Sequence, residues 1–89
     1  MKLSKALRKA EEEAQERDSY WVEKAKLDFA IALERRRKVV GLPYASLAKK
    51  LATSAAYISK VFRGDSNLTI ESMVKLARAT GGRVDIRLS

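Results

Sequence analysis

The stretch TSAAYISKVFRG, from residue 53 to residue 64, contains the signals for a complete short helix. Ser54 is a good N-cap, because its hydroxyl can accept a hydrogen bond from a free backbone N–H of the first turn. Gly64 is suited to end the helix, since glycine adopts the left-handed conformation that often follows a last turn. Three residues at helical spacing form an apolar face: Ile58, Val61 and Phe62. The opposite face carries Tyr57, Lys60 and Arg63.

A second short helix is predicted just upstream, over Tyr44–Leu51. Pro43 suits its start, because proline lacks the N–H that a first helical turn leaves unpaired. A tight turn at Ala52-Thr53 joins the two helices. Two short helices, one tight turn and a basic outer face on the second helix are typical of a helix-turn-helix.

These residues resemble a known family. The runs LPYASLAKKL over residues 42–51 and YISKVFRG over residues 57–64 are similar to the XRE family of lambda-repressor-like domains. A polar loop, a helix and a Gly-Gly pair continue the resemblance over residues 65–83, and the whole covers about residues 27–80. It implies an all-α, five-helix DNA-binding domain. By its size and its tail, the chain also resembles small antitoxins of the HigA and HipB kind, which repress their own promoters.

Composition excludes several classes of function. The chain has 89 residues, enough for one small domain with a compact core. It has neither cysteine nor histidine, so it lacks the commonest general base and the commonest zinc ligands. We therefore expect no enzyme activity, no metal and no other cofactor. No segment reads as a signal peptide or a membrane span, which makes the cytoplasm the expected location.

The net charge of +8 is unevenly placed. Residues 1–18 contain five basic and five acidic side chains, so the whole excess lies in residues 19–89. A basic body favours a polyanionic partner, and double-stranded DNA is the first candidate.

The pattern along the chain predicts three parts: an N-terminal helical extension over 1–18, the helix-turn-helix domain over 19–82, and a C-terminal dimerisation strand over 83–89. The extension has a thin apolar stripe, formed by Leu3, Leu7, Ala10 and Ala14. The tail alternates, with Val84, Ile86 and Leu88 on one side. Because a lone strand leaves its backbone unpaired, we expect the same strand of a second copy to complete it in a homodimer.

The longest helix is predicted over residues 20–40, after a break and a new N-cap at Asp18-Ser19. Besides its core face, it carries a second apolar stripe: Tyr20, Leu27 and Ile31. That stripe needs another cover, which could be the N-terminal helix, a second subunit or a partner protein, unless these are scattered surface residues. Two further local features are expected. Thr69 caps the last helix over 70–80. Ala52, where the family usually has glycine, implies a little backbone strain or a slightly different turn.

The resemblance implies which residues meet DNA. By position in the motif, the second helix of the pair offers Ser54, Ala55, Ala56, Tyr57, Ser59 and Lys60 to the major groove. Lys60 is the best candidate for a guanine contact, with a phosphate contact or plain solvation as alternatives. Phosphate contacts are implied for Tyr44, Thr53 and Arg63, and Tyr44 could instead pack at its helix start.

Lysines and arginines outside the two short helices' DNA-facing positions are weaker candidates for contacts with DNA. The basic run Arg35–Lys38 either touches DNA or forms a solvated face, and Arg36 lies on the core stripe, where a carboxylate could pair with it. Lys49 and Lys50 are expected to be solvated, with at most a peripheral phosphate contact. The function predicted from all this is a sequence-specific repressor, the antitoxin of a toxin–antitoxin pair, with Tyr20, Leu27 and Ile31 available to a toxin. The alternative is a stand-alone or phage-type repressor without a toxin.

Overall fold

The computed structural model describes residues 8–13 and 16–89, and this part of the chain is all-helical. Residues 8–13 and 16 are helical and precede a bend at residue 17. Four complete helices follow: α1 over Asp18–Val40, α2 over Tyr44–Lys50, α3 over Ala55–Phe62 and α4 over Ile70–Ala79. The predicted all-α class is therefore confirmed for the described residues. Of the apolar stripe predicted for the extension, Leu3, Leu7 and Ala14 lie outside them, and Ala10 is exposed.

The break before α1 falls one residue earlier than Asp18-Ser19. Arg17 is the N-cap, with an extended backbone (ψ 135°), and its side chain makes no cap hydrogen bond. Asp18 is already helical and lies in the first turn, where a carboxylate interacts favourably with the positive end of the helix dipole. At the other end, Gly41 adopts a left-handed conformation (φ +67°) and its N–H bonds back to the last turn.

The core forms where α1, α2, α3 and α4 meet. Leu47 of α2 and Ile58 of α3 are completely buried. The other buried members of this cluster are Leu33, Ala48, Val61, Leu76 and Ala79. Burying one leucine or isoleucine contributes roughly 1.5–3 kcal/mol, so this cluster fixes how the two short helices sit on the longer ones.

The turn between α2 and α3 is strained as expected. Ala52 has a φ of +52°, which makes it the non-glycine residue with a positive φ among the described residues. An L-residue in this region brings its Cβ close to the following carbonyl. The turn holds its shape through backbone bonds, since Thr53 N donates to Ala48 O at 2.9 Å and Ala52 N to Lys49 O at 3.1 Å.

The tail differs from its prediction. Residues 82–89 form neither helix nor strand in the single chain. Val84 is half-buried, whereas Ile86 is 62% exposed and Leu88 is 96% exposed. A strand needs a neighbour for its backbone N–H and C=O groups, and the described residues of one chain contain no second strand.

Two basic side chains hold the C-terminal end of α4. Arg36 donates from Nη2 to Thr80 O at 3.1 Å, so it binds a backbone carbonyl and not the carboxylate expected for it. Lys50 donates from Nζ to Ala79 O at 3.1 Å, so it is not simply solvated. The last carbonyls of a helix lack partners within the helix and carry the negative end of its dipole, which is why cations bind there. The predicted cap at the start of α4 is confirmed, since Thr69 Oγ1 accepts from Ser72 N at 3.0 Å.

Candidate nucleic-acid interface

The orientation of α3 is fixed by its cap and its buried face. Ser54 Oγ accepts from Tyr57 N at 3.1 Å, which confirms the predicted N-cap. Ile58 and Val61 are buried, so the opposite side of the helix must face solvent. The residues exposed on that side are Ala55, Ala56, Ser59 and Lys60. Three of these four side chains are small, which leaves the backbone of α3 open to close approach.

The cationic groups at this surface are available to a ligand. Lys60 is exposed, and its ammonium group makes no hydrogen bond or ion pair within residues 8–13 and 16–89. Arg63 follows α3 and pairs with Asp65 at 3.4 Å, with both side chains about 60% exposed. Exposed ion pairs contribute at most about 1 kcal/mol, so Arg63 can exchange Asp65 for a phosphate.

Tyr57 lies apart from the other outward residues of α3. It is half-buried and packs against the core. It lines a shallow groove of about 270 Å³ together with Leu51, Ala52, Thr53, Ser72, Lys75 and Leu76. We call this the Thr53–Lys75 groove. Since part of its ring is occupied by packing, Tyr57 can offer only its outer edge to a ligand.

Tyr44 belongs to a cluster that joins α1 to α2. Its hydroxyl donates to Glu34 Oε2 at 2.8 Å, and Arg37 lies 4.3 Å from its ring centre. Arg37 also donates to both oxygens of Glu34 and to Leu42 O. The ring of Phe62 stacks at 4.8 Å. In this cluster Tyr44 packs at its helix start and its hydroxyl hydrogen is already used, but the side chain is still 43% exposed, so its phosphate contact stays a prediction.

The same cluster perturbs the titration of its members. The hydrogen bond from Arg37 lowers the pKa of Glu34, and the bond from Tyr44 adds to that effect. The pKa of Tyr44 is raised, because its hydrogen bond to Glu34 favours the protonated phenol. The charge of Glu34 is thus kept, and neutralised within the protein.

The basic run Arg35–Lys38 splits into two pairs. Arg36 and Arg37 bind groups of the protein itself, as described above. Arg35 and Lys38 are exposed and line a surface depression with Ile31 and Phe62. Of the four residues of the basic run, Arg35 and Lys38 are therefore the two whose side chains are available for the DNA contact that the sequence analysis left open.

Sequence reasoning missed two residues near α3. Ser72 and Lys75 of α4 line the Thr53–Lys75 groove beside the first turn of α3. The sequence pattern predicted the span of this helix and its Thr69 cap, and assigned no role to its polar side chains. The available signal was the three-residue spacing of Ser72 and Lys75, which puts a hydroxyl and an ammonium on one side of a helix.

A family model described as helix-turn-helix matches residues 33–86, more than half of the chain. The chain is an XRE-type helix-turn-helix protein. In this helix-turn-helix protein the match includes α2, α3 and α4, about the last third of α1 and most of the tail. Membership makes it a DNA-binding transcription regulator, with α3 as the second helix of the motif. No match was found among curated proteins or solved structures. No helix among the described residues is long and apolar enough to cross a membrane.

Proposed function

We propose that the protein is a sequence-specific repressor that inserts α3 into the major groove. The observation that carries this proposal is the capped α3, which is backed by Ile58 and Val61 and presents small side chains and Lys60 outward. In a major groove Lys60 would reach guanine acceptors, while Thr53 and Arg63 would hold phosphates on either side. Bound over a promoter, the protein would block transcription. On this proposal the protein acts by binding DNA and not as an enzyme, and it works in the cytoplasm, where we propose its operator lies.

The test is binding to duplexes taken from the DNA upstream of its own gene, against shuffled duplexes of the same composition. At physiological salt we expect at least one upstream duplex to bind well above its shuffled version. Affinity should fall steeply with salt, by about 0.9 log units per log unit of salt for each phosphate contact. Equal affinity for every upstream and shuffled duplex would contradict sequence-specific binding.

We also propose a homodimer that uses the tail. Ile86 and Leu88 are exposed in the single chain, and Val84 is half-buried. Antiparallel pairing of residues 83–88 across a two-fold axis would cover them and satisfy the free backbone groups. Such a dimer could present two copies of α3 about 34 Å apart, one turn of DNA. Deleting residues 83–89 should then give a folded monomer that binds operator DNA poorly, and sedimentation showing an unchanged dimer would place the interface elsewhere.

The antitoxin role is proposed on the apolar surface of α1. Leu27 is 51% exposed and Ile31 is 48% exposed, while the ring of Tyr20 meets Trp21 edge-on at 5.2 Å. A toxin protein could cover these residues, with the extension over 1–18 assisting. The role would be supported by a neighbouring reading frame that encodes a toxin-like protein, if that protein arrests growth and this protein relieves the arrest. If there is no such frame, a stand-alone or phage-type repressor is the better assignment.

A further inference from the structure

The Thr53–Lys75 groove lies beside the first turn of α3 and is built from two helices. Thr53 and Tyr57 come from the start of α3, and Ser72 and Lys75 come from α4. The groove is shallow and open, has a volume of about 270 Å³, and includes polar side chains in its lining. In a complex with α3 in the major groove, the DNA strands on either side of that groove would pass near the ends of α3, and this depression lies at one of those ends.

The polar side chains of the groove can still donate hydrogen bonds to a ligand. Ser72 Oγ accepts from Thr69 Oγ1 at 3.0 Å, which leaves its own hydroxyl hydrogen free to donate. Lys75 pairs with Glu71 Oε1 at 2.9 Å, but the two side chains are 65% and 78% exposed. An ion pair this exposed is weak, so the Lys75 ammonium can turn to a stronger anion.

We propose that this groove holds one backbone phosphate of the bound DNA, with Lys75 as its cation and Thr53 and Ser72 as hydroxyl donors. The inference rests on the proposed function, since it assigns one contact of the same DNA complex. It adds α4 to the interface, because the motif residues predicted from sequence all lie on α2, α3 and the turns beside them. Phosphate contacts of this kind set the position of a protein on DNA without reading its sequence.

The test compares Lys75→Ala with Lys24→Ala. Lys24 of α1 is a matched control, because it also forms an i,i+4 pair, with Asp28 at 2.7 Å, and its loss changes the net charge equally. Binding of each variant to a 20-base-pair duplex of random sequence is measured over a salt series. Lys75→Ala should flatten the log–log salt dependence by about 0.9, the value for one lost phosphate contact, and Lys24→Ala should leave it near wild type.

A second pair of variants acts in the opposite direction. Glu71→Gln removes the competitor of the phosphate and should tighten binding to the same duplex several-fold, whereas Asp28→Asn should change it much less. Circular dichroism checks that each variant is folded. If Lys75→Ala behaves like Lys24→Ala while Arg63→Ala still flattens the salt dependence, the groove assignment is overturned and the proposed function stands. If the wild-type protein binds neither this duplex nor any duplex from upstream of its own gene, both fail.

Discussion

Gly64 lies directly against the backbone of Leu27: a Cβ at Gly64 would sit 3.4 Å from Leu27 Cα. Gly64 ends the turn after α3 with a φ of +75°. The C-terminal end of α3 therefore rests on α1, and the stripe that contains Leu27 is covered in part by the same chain. This contact sets the distance between α1 and the proposed DNA-binding face of α3.

Replacing Gly64 by alanine should destabilise the fold by about 1–2 kcal/mol, because an L-residue is strained at a φ of +75°. The new Cβ would lie 3.4 Å from Leu27 Cα, which is ordinary van der Waals contact and adds no clash. Gly41→Ala is the matched control, since Gly41 has a φ of +67° and nothing lies within 4 Å of a Cβ placed there. Urea denaturation of the two variants should show similar losses. A clearly larger loss for Gly64→Ala would mean that α1 does not accommodate a Cβ beside Leu27.

Ala52→Gly should stabilise the protein by about 0.5–1 kcal/mol. Glycine relieves the backbone strain of the left-handed turn. The free energy gained in this way exceeds the entropic cost that arises because glycine makes the unfolded chain more flexible. Ala25→Gly, at an exposed position of α1, should instead cost about 1 kcal/mol. Thermal unfolding of the two variants checks the signs. A loss of stability in Ala52→Gly would show that the turn is unstrained.

The Glu34–Arg37–Tyr44 cluster predicts a pH dependence. Because the pKa of Glu34 is lowered in the folded state, its contribution to stability is present above the unfolded value of about 4.3 and is lost as pH falls through the folded pKa. Stability measured from pH 6 to pH 3 should therefore decline less steeply in Glu34→Gln than in wild type. The same substitution should bring the raised pKa of Tyr44 back toward about 10, as followed by ultraviolet absorbance. If Glu34→Gln changes neither the pH dependence of stability nor the titration of Tyr44, the hydrogen bonds of the Glu34–Arg37–Tyr44 cluster are contradicted.

Arg35 and Arg36 are neighbours in the basic run, but their replacement should affect stability differently. Arg36→Ala loses the bond to Thr80 O and should lower the free energy of unfolding by about 1–3 kcal/mol. Arg35→Ala removes an exposed side chain and should change stability by less than about 0.5 kcal/mol. Denaturant titration distinguishes them, and equal losses would contradict the role of Arg36 in holding α4.

The local signals of helices were readable from sequence because they act over a few residues. The Ser54 and Thr69 caps and the strain at Ala52 each depend on one turn of backbone, and the structure has all three. The hydrogen-bond partners of Arg36, Lys50 and Tyr44 could not be predicted from sequence, because they lie 44, 29 and 10 residues away. The alternation of residues 83–88 did predict strand character, but strand formation needs a neighbour that one chain does not supply.

The central claim is that α3 reads base sequence, and the most direct test is selection of binding sites from a random duplex library. Wild type and Lys60→Ala are compared, with Lys24→Ala as the control. We expect wild type and Lys24→Ala to select the same motif, and Lys60→Ala to lose preference at one base pair, at roughly 1–3 kcal/mol. Recovery of the full motif by Lys60→Ala, or of no motif by wild type, would contradict the account.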